Sequence, residues 1–222
     1  MNILAIDTSS HSLSIAAAKD NKILASRNIR LKENLSSSII LEIKKILRKA
    51  KLSLSVLDGF AIGLGPGSFT SLRVGLSTVK ALSFVLQKPV VGISSLDVIA
   101  MNVKEDGPVC VLSDAKRNLL YACFYEKKDN SLERKSEYLL VPPNDLMERV
   151  REGTILVGDG IRILGSQTKK IKGKLTLSSQ WNLQAKNLAR LAFQRFEEKE
   201  FNDIDRLIPL YLYPEDCQVR KQ

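Results

Sequence analysis

The run NILAID at residues 2–7 ends on Asp7, and the run VCVLSDAKRN at 109–118 carries Asp114 in the corresponding place, 107 residues further along a chain of 222. Two more strand-like runs follow each of them. In the first half these are SLSIAAAK and KILASRNI, joined by a tight turn at Asp20-Asn21; in the second they are LLYACFYEKK and SEYLLV. Helix-like and strand-like segments then alternate in both halves. A recurrence near half the chain length, with a strand meander leading each time, restricts the chain to two related α/β halves with mixed sheets flanked by helices. The polar stretch NVKEDGP at 102–108 divides them, giving a first lobe at 1–104 and a second at 105–222 whose tail is free to pack back on the first.

The helices are read from spacing. In SSIILEIKKILRKA, residues Ile39, Ile40, Ile43, Ile46 and Leu47 recur at helical intervals, with Ser36 to Ser38 available as N-caps. LDGFAIGLG is a strand running into a glycine turn, and a helix follows from Phe69 to Leu86. PVVGIS is a further strand, and a helix runs from Ser95 to Met101. In the second half Pro142-Pro143 introduces the helix NDLMERVRE, TILVGDGI is a strand, and a long amphipathic helix spans Leu183 to Lys199.

Composition excludes several chemistries. The chain has one histidine, His11, placed in a turn, so paired-histidine metal sites and zinc-protease motifs cannot be built. Cys110, Cys123 and Cys217 are far apart with no C-x-x-C pair, which fits reduced thiols and neither a zinc site nor a disulfide framework. No run of 18 or more apolar residues occurs, and the first residues lack a basic start followed by a long apolar stretch, so the expected location is the cytoplasm, with no membrane span. The formal net charge is +10. A positive field favours an acidic partner or nucleic acid, but the clusters RKAK (48–51) and KKIKGK (169–174) have no interleaved aromatics to stack on bases. Charge alone leaves nucleic-acid contact open.

The most unusual stretch is GLGPGSFTSLRVGLSTVKAL, residues 63–82. Gly63, Gly65, Pro66 and Gly67 match neither G-x-x-x-x-G-K-[ST] nor G-x-G-x-x-G. Two readings remain open. The glycines and the exposed amides of a helix start can hold an anion, with Ser68 and Thr70 at hand. Equally, glycine permits a sharp strand-to-helix turn. In the helix that follows, Phe69, Leu72, Leu76, Val79 and Leu86 form an apolar stripe, while Ser71, Gly75 and Thr78 make a second face of small residues. Gly75 costs about 1 kcal/mol relative to alanine in a helix, a cost usually offset by close approach of another backbone.

MNILAIDTSS, the block G-x-G-P-G-S-F-T-x-x-R-x-G within residues 63–75, and PVVGISSLD together resemble the TsaB (YeaZ) family; IPLYL at 208–212 resembles that family's closing P-x-Y-L, so the likeness covers nearly the whole chain. It implies an actin-like ATPase (ASKHA, ribonuclease H-like) fold of two similar lobes. It also implies a non-catalytic subunit of the machinery that forms N6-threonylcarbamoyladenosine at position 37 of ANN-decoding tRNAs. That subunit is a degenerate paralogue of the transferase TsaD, which holds its metal through paired histidines this chain does not have.

By the same resemblance, the partners are TsaD, then the ATPase TsaE, with self-association when TsaD is absent and tRNA reached through the complex. The pairing surface maps to the helix at 37–49 and the helix at 69–86: Ile39, Ile43 and Ile46, then Phe69, Ser71, Leu72, Gly75, Leu76, Thr78, Val79 and Leu82. Asp7, Thr8, Ser9 and Asp114 would be a vestigial phosphate site, with no cofactor required and weak ATP or ADP binding allowed. The chain lacks the His-Ser or His-Thr and the proline that members carry around the first long helix. The competing reading is an active ATP-dependent small-molecule kinase of the same superfamily, with Asp7, Thr8 and Ser9 near phosphates and Asp114 as metal ligand or base. Ser9 stands where catalytic members place the glycine of D-x-G, which narrows that space. Glycoprotease activity has neither a metal site nor a triad to support it.

Overall fold

The computed structural model describes residues 1–30, 34–129 and 131–214. Cys217 and the tail beyond Pro214 lie outside the described residues. Among the described residues the chain divides into two compact units, one formed by 1–98 with 183–210 and the other by 99–182 with 211–214. The segment 183–210, read from sequence as part of the second lobe, therefore belongs to the first.

In the first unit, β1 (Asn2–Asp7), β2 (Ser12–Lys19) and β3 (Lys22–Arg30) form an antiparallel meander, and β4 (Gly59–Gly63) and β5 (Val90–Ile93) add parallel strands on the far side of β1. The order is β3-β2-β1-β4-β5. Helices α1 (Leu35–Ala50) and α2 (Phe69–Leu86) cover one face, and α3 (Ser95–Ala100) follows β5. Their buried side chains Ile39, Ile43, Ile46, Leu47, Leu76 and Val79 join Leu4, Ile6, Leu13 and Ile15 in one core. Each large aliphatic group so buried stabilises the unit by about 1.5–3 kcal/mol.

The alternate strand residues, such as Ile3 and Ala5, face the other way. There α6 (Ala185–Glu197), the last helix in the chain, packs across β1, β2 and β5 through Leu188, Ala189, Ala192 and Phe196. Both faces of β1 are thus covered, which is why NILAID reads as a continuous apolar run.

The second unit repeats the plan. β6 (Gly107–Lys116), β7 (Leu119–Lys128) and β8 (Ser131–Arg134) form the meander; β10 (Ile155–Val157) and β11 (Lys174–Leu175) add in parallel beyond β6, in the order β11-β10-β6-β7-β8. Reading each sheet from its third strand gives the same succession, so the duplication seen in the sequence is a duplication of topology. The third strand is not SEYLLV, however. Ser131–Arg134 takes that place, and β9 (Leu139–Val141) pairs separately with β7. Helices α4 (Pro143–Arg149) and α5 (Ile161–Leu164) complete the unit.

Two details of α1 differ from the sequence reading. Its N-cap is Asn34, and Ser37 and Ser38 lie inside the helix with their hydroxyls donating back to the Asn34 carbonyl. Ile40 is 45% exposed, because at 100° per residue it falls outside the arc of Ile39, Ile43, Ile46 and Leu47.

Candidate functional site

Asp7 ends β1 and is 1% exposed. Its Oδ1 accepts from the Ser9 amide at 2.8 Å, and its Oδ2 accepts from the Ser95 hydroxyl at 2.6 Å. Burial, the largest influence on this carboxyl, pushes its pKa above the ordinary value, and the bonds from Ser95 and Ser9 pull more weakly the other way.

The glycine turn presses directly onto this aspartate. A Cβ on Gly63 would lie 1.7 Å from Asp7 Oδ2, and one on Gly67 would lie 2.1 Å from the Ser9 carbonyl oxygen. Only glycine fits either place. Gly65 has φ +87°, a conformation that also favours glycine, and the Gly65–Pro66 peptide is cis. Three backbone amides around the turn are engaged within it. Ser68 N–H donates to the Ser9 carbonyl at 2.8 Å, Gly65 N–H to Ser95 Oγ at 3.1 Å, and Ser95 N–H to the Gly65 carbonyl at 2.8 Å. Thr8 Oγ1 donates to the Ser71 carbonyl at 2.7 Å. The turn at 63–67 packs against the end of β1, with Gly63 on Asp7 and Gly67 on the Ser9 carbonyl.

Asp114, in the second unit, accepts from the Lys116 backbone amide at 2.7 Å and pairs with the Lys116 ammonium. Asp159, from VGDG, accepts from Ser113 Oγ and the Asp114 amide, each at 3.1 Å. His11 is exposed in a bend, and Cys110 and Cys123 are buried in the interior of their sheet, with Cys123 Sγ accepting from Ser136 Oγ at 3.6 Å. Burial pushes the Cys110 thiol well above the usual range. Among the described residues, no group of three or more His, Cys, Asp or Glu side chains could hold a metal ion.

The residues expected at a partner surface differ in burial. Ile39, Ile43, Ile46, Leu72, Leu76 and Val79 are buried in the core of their own unit. Gly75 is buried too, and the group that approaches it closely is Thr8 of the same unit. Ser71, Thr78 and Leu82 are half-buried; Thr78 Oγ1 donates to the Val74 carbonyl at 2.8 Å and Leu82 packs on the core. Of that set, Phe69 alone is exposed, with the Arg73 guanidinium 3.8 Å from its ring centroid.

The outward face of α2 is instead Phe69, Arg73, Ser77, Ala81, Phe84 and Val85, with Phe84 and Val85 each 75% exposed. No acidic residue interrupts it. On the neighbouring helix α1, Ile40 and Leu41 are exposed as well. The sequence reading did not single out Phe84 or Val85, although α2 carries apolar residues outside the stripe that its own sheet covers. By length and composition α2 could cross a membrane, but it packs its buried stripe on the sheet.

These observations define the class first. The ADPNP-bound activator of 2-hydroxyisocaproyl-CoA dehydratase from Clostridium difficile superposes with a TM-score of 0.51 at 13% identity, over 91% of this chain and 99% of its own. The fold is that of the actin-like ATPases. YeaZ from Pseudomonas aeruginosa superposes far better, with a TM-score of 0.80 at 24% identity over 95% and 99% of the two chains. Residues 23–194 match the family model TsaD, tRNA N6-adenosine threonylcarbamoyltransferase.

The tRNA threonylcarbamoyladenosine biosynthesis protein TsaB of Bacillus subtilis (strain 168) is 29% identical over 99% of this chain and 97% of its own length. The TsaB of Buchnera aphidicola subsp. Schizaphis graminum (strain Sg) is 33% identical over 71% and 78%. The chain belongs to the TsaB (YeaZ) family, within the wider group that the TsaD family model describes.

Proposed function

We propose that the protein is a non-catalytic scaffold in the biosynthesis of N6-threonylcarbamoyladenosine at position 37 of ANN-decoding tRNAs, working in the cytoplasm by pairing with the catalytic paralogue TsaD. The observation that carries this reading is the outward face of α2, where Phe84 and Val85 stand in solvent on a helix whose other side is already packed. A cost of exposure on that scale is recovered when a partner helix covers the face. The close packing of the turn around Asp7 supports the non-catalytic part, since Gly63 and Gly67 press on Asp7 and Ser9 and the Ser68 amide is bonded to the Ser9 carbonyl.

On this reading TsaE joins the pair, tRNA is engaged by the assembly, no cofactor is required, and two copies of the chain pair through the same helices when TsaD is absent. The test is co-elution with the organism's TsaD on size exclusion. Wild-type chain elutes as a complex, and Phe84→Glu/Val85→Glu elutes apart from TsaD while melting like wild type. A folded wild-type chain that forms no complex, or a variant that pairs as well as wild type, contradicts the proposal.

A further inference from the structure

The second half of α1 is a ridge of cations. Lys44, Lys45, Arg48, Lys49 and the C-cap residue Lys51 are all exposed, and no exposed apolar side chain lies among them. The helix has one acid, Glu42, which is 8% exposed and already held by Lys45 Nζ at 2.7 Å and by Arg27 of the edge strand β3 at 3.3 Å. Lys44, Arg48, Lys49 and Lys51 have no carboxylate at ion-pair distance among the described residues.

Cations near a helix C-terminus complement its dipole. That effect falls off within the last turn, and here the cations begin earlier and stand four apart, as Lys44 with Arg48 and Lys45 with Lys49, where like charges repel. The helix is thus more basic than its own stability accounts for. Four residues along a helix is about 6 Å, so the ridge presents two short parallel rows of positive charge. A docking protein or a membrane surface would be expected to bury apolar groups as well. A polyanion needs only the charge.

We infer that this ridge binds the phosphodiester backbone of RNA, contributing affinity and orientation but no base readout. The choice of RNA as the polyanion rests on the tRNA-modification reading above. Ile40 and Leu41 stand one turn before Lys44 and Lys45 in the same two rows, so the apolar part of the exposed face of α1 precedes its cationic part.

The test is fluorescence anisotropy of the full-length chain alone with a labelled, unmodified tRNA transcript between 50 and 200 mM salt. Lys44→Gln/Arg48→Gln/Lys49→Gln is compared with Lys128→Gln/Lys169→Gln/Lys172→Gln, which removes the same charge from the other unit. Three lost phosphate contacts should weaken binding by about tenfold and reduce the slope of log K against log salt by about 2 to 3, while the control changes binding by less than about threefold. An unchanged ridge variant overturns the inference. So do equal losses in both variants, and so does a chain that binds anionic vesicles but not tRNA. Co-elution with TsaD is measured on the same variants: if the ridge variant still pairs and loses tRNA, both readings stand, and if wild type binds tRNA through the ridge yet never pairs, only the scaffold reading falls.

Discussion

A Cβ placed on Gly75 would lie 2.3 Å from Thr8 Oγ1, 2.9 Å from Thr8 Cγ2 and 3.2 Å from Thr8 Cβ. Helix α2 therefore has a glycine in its middle because the end of β1 occupies the place of a side chain. Thr8 cannot swing clear without giving up its hydrogen bond to the Ser71 carbonyl. Two effects oppose each other in Gly75→Ala: the gain in helix propensity is about 1 kcal/mol, and overpacking costs about 1–3 kcal/mol. The clash is expected to win. In a Thr8→Ala background the two closest atoms are gone and the cost should shrink by at least about 1 kcal/mol. A double-mutant cycle by urea denaturation reads this coupling; strictly additive effects would return Gly75 to the role of a contact for another chain.

Gly67 offers a contrast. The atom its Cβ would meet at 2.1 Å is the carbonyl oxygen of Ser9, part of the backbone. No side-chain truncation at Ser9 relieves that overlap. Gly67→Ala should lower the melting temperature at least as much as Gly75→Ala, and Ser9→Ala should not restore it. Recovery in that double variant would mean that the turn at 63–67 can move away from β1.

Asp7 makes stability depend on pH in a direction opposite to that of a salt-bridged carboxylate. Its folded pKa is raised above the ordinary 3.8 by burial. Its contribution is therefore fully present below 3.8 and is lost as pH rises through the folded value, where a charge must be held in the interior. Asp7→Asn keeps a neutral group of the same shape. The melting temperature of Asp7→Asn minus that of wild type should increase as pH is raised from about 4, then level off. A difference that falls with rising pH would mean that Ser9 and Ser95 stabilise the ionised form more than burial opposes it.

Most of the architecture could be read from the residues, and the failures have common physical causes. The bounds of α2, from Phe69 to Leu86, follow from the glycine turn before it and the loss of apolar periodicity after it. The two meanders follow from alternating apolar runs ending on Asp7 and Asp114. Pattern says little about distant partners, however. Nothing local in 183–210 shows that α6 packs on β1 and β2, more than 160 residues earlier in the chain, as the bond from the Ala185 amide to Ser14 Oγ records with a separation of 171. The same limit applies to the small face of α2. A small face on a helix shows that something comes close; it does not show whether that neighbour is Thr8 or another molecule. Burial of Leu72, Leu76 and Val79 used up the stripe assigned to a partner and left Phe84 and Val85 outside.

That exposed pair carries the next expectation. Substitutions at solvent-facing positions usually change stability by no more than about 0.5 kcal/mol, so Phe84→Glu should melt within a few degrees of wild type. Its effect should fall on assembly, since a carboxylate on an apolar face would have to be desolvated when a partner covers it. A large loss of stability in the isolated chain would show instead that Phe84 serves the fold.

The measurement that bears most directly on the account is the rate of threonylcarbamoyladenosine formation on tRNA by TsaD with the other pathway components, with and without this protein. The account predicts that modification depends on the wild-type chain, that Phe84→Glu/Val85→Glu fails to support it, and that Asp7→Asn supports it as well as wild type. Modification that proceeds equally well in the absence of the chain, or that is lost with Asp7→Asn while the fold and the complex with TsaD persist, would contradict it.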